Sequence, residues 1–112
     1  MQVEITKHAF SRAKERLAFK KKTLKRIAEK AFSGGLKHSE TNGRLNRYVS
    51  SLFLEKREAN NVRIYGEVVF LFSQNTLITV YQLPRHLRKR AIDLSHRKLW
   101  TKQYFYTRRK LN

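Results

Sequence analysis

The chain has 112 residues, 40% hydrophobic and 12% aromatic, with 26 Lys and Arg against 8 Asp and Glu and a formal net charge of +18. A chain of this length can bury a core without staples, and the absence of cysteine excludes a disulfide scaffold, thiolate zinc sites and a cysteine nucleophile. The apolar content is too high for a disordered polycation, no apolar run reaches the roughly 18 residues of a membrane span, and the N-terminal MQVEITKHAF lacks the apolar stretch of a secretory leader.

These bounds predict a folded, cytoplasmic domain whose partner is a polyanion: RNA or another nucleic acid, and not a membrane. The charge is unevenly placed. Residues 1–33 carry 10 basic and 3 acidic side chains, residues 34–84 carry 6 and 4, and residues 85–112 carry 10 and 1. A nearly neutral, β-rich centre therefore lies between two basic ends. No repeat or linker divides the chain, which reads as one domain over 1–99 and a basic aromatic tail over 100–112.

In chain order, Thr6 is a plausible N-cap for a first helix from Lys7 to Phe19. Phe10, Ala13 and Leu17 form its apolar stripe, and His8, Arg12 and Arg16 form a second stripe at i, i+4 and i+8. After Lys20, Lys21 and Lys22, a second helix has Leu24, Ile27, Ala28 and Ala31 on its inner face. Gly34 and Gly35 would supply the left-handed residue that ends it. Leu45, Tyr48, Val49, Leu52 and Phe53 recur at helical spacing, and Asn60-Asn61 breaks the chain. Val62 to Tyr65 and Val68 to Phe72 are strand-like, with Gly66 as a bend or bulge. Ser73 to Thr76 is a turn, Leu77 to Leu83 a strand, and Pro84 its end. A helix over His86 to Leu99 carries Leu87, Ala91, Ile92 and Leu94. The expected class is α+β, with N-terminal helices packed on a small antiparallel sheet and a basic C-terminal helix or tail.

The His8, Arg12 and Arg16 stripe is the most distinctive local feature. Two arginines so placed can hold phosphate oxygens bidentately, and an imidazole one turn away can give or accept a proton near neutrality. On the last strand, alternation puts Ile78 and Val80 under the helices and Thr79 and Tyr81 on the opposite, open face. There is no Gly-rich phosphate loop, no ligand set for a zinc hydrolase and no clustered carboxylate pair for a two-metal nuclease. No metal and no cofactor are expected. RNA permits metal-free cleavage, because its own 2′-OH is the nucleophile and the protein supplies a base, an acid and cations. Nucleic-acid contacts are expected from Lys7, Lys20, Lys21, Lys22, Lys25, Arg26, Arg85, Arg88, Arg97, Lys98, Lys102, Arg108 and Arg109. Trp100 and Tyr104 would stack on unpaired bases.

The N-terminal ITKHAFSRAKERL, the following helix ending in glycine, and the late LITVYQLP carry a resemblance over residues 4–84. They resemble a family of small bacterial and phage proteins similar to the barnase/EndoU/colicin/RelE type of ribonuclease fold. The resemblance implies N-terminal helices on a short antiparallel sheet, with His8, Arg12, Thr79 and Tyr81 as site residues and Arg16 on the same helical face.

The leading expectation is a metal-independent endoribonuclease giving 2′,3′-cyclic phosphate ends. His8 would accept the 2′-OH proton, Arg12 and Arg16 hold the phosphate, Tyr81 protonate the leaving oxygen, and Thr79 orient phosphate or base. A non-catalytic nucleic-acid-binding module is the rival class. A phage or plasmid effector, anti-CRISPR-like, that disables a host ribonucleoprotein is the third. An acidic antitoxin-like protein is a further possible partner.

Overall fold

The unbroken apolar run from Val68 to Phe72 becomes the middle strand of a five-stranded sheet, and its two sides set the layers of the molecule. The structure, a computed structural model, describes the backbone of residues 3–111 and the side chains of residues 3–99. Its elements are β1 (Glu4–Ile5), α1 (Lys7–Leu17), α2 (Lys21–Gly34), β2 (Leu36–Lys37), a 3-10 turn (His38–Glu40), α3 (Gly43–Glu55), β3 (Asn61–Tyr65), β4 (Val68–Ser73), β5 (Thr76–Gln82) and α4 (Arg85–Leu111). The strands lie in the order β1-β5-β4-β3-β2. All pairs are antiparallel except β1 with β5, which run parallel.

Helices cover both faces. Ala9 and Ala13 of α1, with Leu24, Ala28 and Ala31 of α2, pack on Phe70, Phe72, Leu77 and Val80. On the other side Leu45, Val49 and Leu52 of α3, with Leu87 and Ala91 of α4, pack on Val62, Ile64, Val69 and Leu71. Phe70 and Phe72 are wholly buried, and each large apolar side chain so buried contributes about 1.5–3 kcal/mol. The protein is α+β, with its N-terminal helices on a small sheet, as the sequence predicts. The sheet is mixed because the short β1, read from no sequence signal, adds to its edge.

Two details of the last strand differ from expectation. Leu71 pairs with Thr79, but Phe72 pairs with Leu77, so Ile78 is an extra residue. This bulge interrupts the two-residue period. Ile78 packs on the α3 side and Val80 on the α1 side, so they do not share a face. Thr79 and Tyr81 do share one, but it is not open: α3 covers it, and Thr79 is 1% exposed.

The turns follow from backbone needs. Gly66 (φ 62°) opens the two-residue turn between the paired Tyr65 and Val68, a first-position positive φ that glycine adopts freely. It is a hairpin turn, not a bulge. Gly35 plays a different part from the left-handed cap expected. Its φ is −69°, but a Cβ there would lie 2.7 Å from the Ala31 carbonyl oxygen and 3.0 Å from that of Ile64. The glycine lets the end of α2 approach β3. The helix expected over His86–Leu99 runs on as α4 to Leu111. Among the described residues no helix is long and apolar enough to cross a membrane.

Candidate functional site

Only two residues of β1 pair with β5, and the rest of that strand's outer edge needs donors for its carbonyls. The chain supplies them from Thr6 and from α1. The Thr6 N–H donates to the Leu77 carbonyl at 3.2 Å, and its hydroxyl lies 3.2 Å and 3.3 Å from the carbonyl oxygens of Leu77 and Ile78. The same hydroxyl accepts from the Ala9 N–H as the N-cap of α1. Ala9 and Ala13 are fully buried, and their small side chains let α1 sit close against β5. Arg16 stands seven residues after Ala9, two turns on along one helical face. From there its Nη1 donates to the Val80 carbonyl at 2.8 Å.

Arg16 also lies 4.6 Å above the Tyr81 ring, a cation–π contact. One of its five N–H donors is spent on Val80, and the others remain for an anion in a side chain held at both ends. Arg12, one turn earlier, points its Nε at His8 Nε2 at 3.4 Å and its Nη1 at Glu15 at 3.2 Å. The His8 contact requires Nε2 to be the acceptor, hence unprotonated. His8, Arg12, Arg16 and Tyr81 thus form one row along the α1–β5 edge, and His8 and Arg16 stand about 12 Å apart along the axis.

Tyr48 of α3 belongs beside this row and was read from sequence only as an apolar position at helical spacing. It is half-buried against the same cluster as Tyr81. Burial raises its pKa above the ordinary phenol value, Tyr81 and Glu55 add to the rise, and Arg16 opposes it. The phenol therefore keeps its proton. No local signal marks Tyr48, because its place depends on α3 folding over β5.

Thr79 does not join the site. It faces the interior under α3, and its hydroxyl meets no hydrogen-bond partner among the described residues, so it cannot orient a substrate.

The expected nucleic-acid contacts divide into groups. Lys21, Lys22, Lys25 and Arg26 line one open cleft of about 840 Å³ on α2, with Lys30 and Phe10. Lys21 Nζ lies 5.3 Å over the Phe10 ring. Lys7, Lys20, Arg85 and Arg97 are exposed. Two others are engaged within the protein, which corrects their reading as free phosphate ligands. Arg88 donates to the Leu83 carbonyl at 2.9 Å and approaches Glu67 at 4.0 Å. Lys98 bonds Glu40 at 2.8 Å and the Gly35 carbonyl at 3.0 Å. Both sit where α4 packs back on the sheet, so their donors fasten the helix. The expectations for Trp100, Lys102, Tyr104, Arg108 and Arg109 fall on side chains outside the described residues. Among the described residues no group of three or more His, Asp or Glu could hold a metal ion.

Comparisons of the chain with protein-family models, with curated proteins and with solved structures find no match.

Proposed function

We propose that the protein is an RNA-directed, metal-independent endoribonuclease acting along the α1–β5 edge. The observation that carries this reading is the arginine row, anchored on Val80 and Tyr81 at one end and in contact with the His8 imidazole at the other. In the mechanism, Arg12 leaves His8 Nε2 for the phosphate, and the freed nitrogen takes the proton of a ribose 2′-OH as the 2′ oxygen attacks the adjacent phosphorus. Arg12 and Arg16 hold the non-bridging oxygens as charge develops. The bond from phosphorus to the 5′ oxygen breaks, and the Tyr81 phenol protonates that leaving oxygen. The products are a 2′,3′-cyclic phosphate and a free 5′-OH. Thr79 has no part.

The test is incubation of structured RNA with parent and His8→Ala protein, with and without EDTA. The expected result is discrete cuts with cyclic phosphate ends that persist in EDTA. In His8→Ala the cleavage rate should fall by about 10²–10⁴, the usual range for removing a general base, while RNA affinity changes little. Cleavage only with added divalent metal, or equal rates for mutant and parent, would sink the proposal.

The basic cleft on α2 favours a second reading, a binding module that docks nucleic acid without cutting it. A gel shift without cuts in the same assay selects that reading. Both readings require affinity to fall steeply with salt, because phosphate contacts release condensed counterions.

A further inference from the structure

A second polar pocket lies at the opposite edge of the sheet, where β2 and β3 meet α3. It has a volume of about 680 Å³, within the range of small-ligand sites. The edge strand β2 is about 14 Å, three strand spacings, from β5. None of its lining residues belongs to the α1–β5 row, and none is a carboxylate.

Three features define what it would take. The first is an aromatic wall, with the His38 and Phe53 rings 5.2 Å apart at 45°. The His38 ring is fixed by Ser50 at 3.0 Å. Because the Ser50 hydroxyl donates its one proton to the Asn46 carbonyl at 2.9 Å, it accepts from His38 Nε2. That proton placement makes the pair a rigid wall, not a nucleophile and its base.

The second feature is a set of committed oxygens. Asn60 Oδ1 accepts from the Gln74 N–H at 2.9 Å, and Asn61 Oδ1 accepts from Arg63 Nε at 3.2 Å. Each oxygen is thus engaged once, and neither amide NH₂ has a partner among the described residues, so both asparagines have donors free for a ligand. The third is a pair of cations. Lys37 and Arg63 stand directly opposite each other across β2 and β3, and like charges in that relation destabilise a sheet. Glu40 already offsets part of the Lys37 charge, and an anion between the two cations removes the repulsion that remains.

We infer that this pocket binds one unpaired nucleotide of RNA, its base against the His38–Phe53 wall and its phosphate on Lys37, Arg63 and the Asn60 and Asn61 amides. The inference rests on RNA as the substrate of the α1–β5 site and adds a base-holding subsite to it. A flat ring joined to an acceptor-rich anion matches an aromatic wall beside a donor-rich cationic lining. A simple anion would leave the wall unused, and a free base would leave the cations unused.

The test titrates ¹⁵N-labelled full-length protein with uridine 5′-monophosphate, uridine, inorganic phosphate and a short oligouridylate. The monophosphate should shift the Asn60 and Asn61 side-chain amides and bind about tenfold tighter, near 1.4 kcal/mol, than uridine or phosphate alone. Tighter binding of the oligouridylate assigns the site to RNA, whereas equal or weaker binding overturns RNA as the source and leaves a free-nucleotide site. Asn61→Asp keeps the oxygen that accepts from Arg63 and replaces the free NH₂ by a charged oxygen. It should lose at least tenfold in monophosphate affinity at an unchanged melting temperature. Phosphate binding as tight as the monophosphate, or shifts confined to α1 and α2, overturns the inference. Cleavage assayed on the same samples separates the two proposals. RNA cut in EDTA with no pocket shifts overturns only the nucleotide site, and pocket shifts with no cleavage overturn only the endoribonuclease.

Discussion

Arg16 illustrates how one side chain can serve fold and chemistry together. Its bond to the Val80 carbonyl closes the exposed edge of β5, and its contact over the Tyr81 ring holds the guanidinium beside that strand. The geometry that stabilises the edge also pre-organises a phosphate ligand. Thr79 is the opposite case. Its hydroxyl is buried without a partner, and an unsatisfied buried hydroxyl costs roughly 1–3 kcal/mol. Thr79→Val should therefore raise stability by about 1 kcal/mol, seen as a melting temperature higher by about 4 °C in a domain of this size. RNA cleavage should be unchanged. Lost cleavage at retained stability would return Thr79 to the site.

At the scale of elements, the close approach of α2 to β3 depends on Gly35. A methyl group there meets two backbone carbonyl oxygens, and neither can move without shifting an element. Gly35→Ala should destabilise by about 1–3 kcal/mol, the usual cost of overpacking, read as a lower denaturant midpoint at unchanged slope. From sequence, the glycine pair correctly marks a helix end for the wrong reason, because a clash with a distant strand leaves no local trace. The unbroken Val68–Phe72 run did contain a legible signal, since a strand apolar at every position is buried on both faces. Such a run demands a second helical layer over Thr79 and Tyr81. The bulge at Ile78 was not legible, because it exists only relative to the register of β4.

At the scale of the whole molecule, Lys98 of α4 and Glu40 of the 3-10 turn join segments 58 residues apart in sequence. Burial alone would raise the Glu40 pKa. Hydrogen bonds from the Lys98 ammonium and the Lys37 N–H, with the charges of both lysines, outweigh it and hold the carboxyl below its ordinary value of 4.5. A depressed folded pKa stabilises the fold above the unfolded value, and the contribution is lost as pH falls through the folded one. The pair is partly exposed, so its contribution is about 1 kcal/mol or less. Lys98→Met should lower stability by that amount near neutrality. The difference from parent should shrink as pH falls through the depressed Glu40 pKa, leaving what the Lys98 bond to the Gly35 carbonyl contributes; a difference that does not change with pH would exclude the ion pair as its source.

The sequence by itself determined the α+β class, most of the helices and strands and the His8, Arg12 and Arg16 row, since these depend on neighbours within a few residues. Polyanion binding as an expectation also follows from charge alone. Only the tertiary structure decided which side chains meet. It brings Arg16 onto Tyr81, adds Tyr48, withdraws Thr79 into the interior and ties Arg88 and Lys98 to the packing of α4. Each of these depends on a contact between elements far apart in the chain, and such contacts are set by sheet register and by how helices cover its faces, not by local spacing.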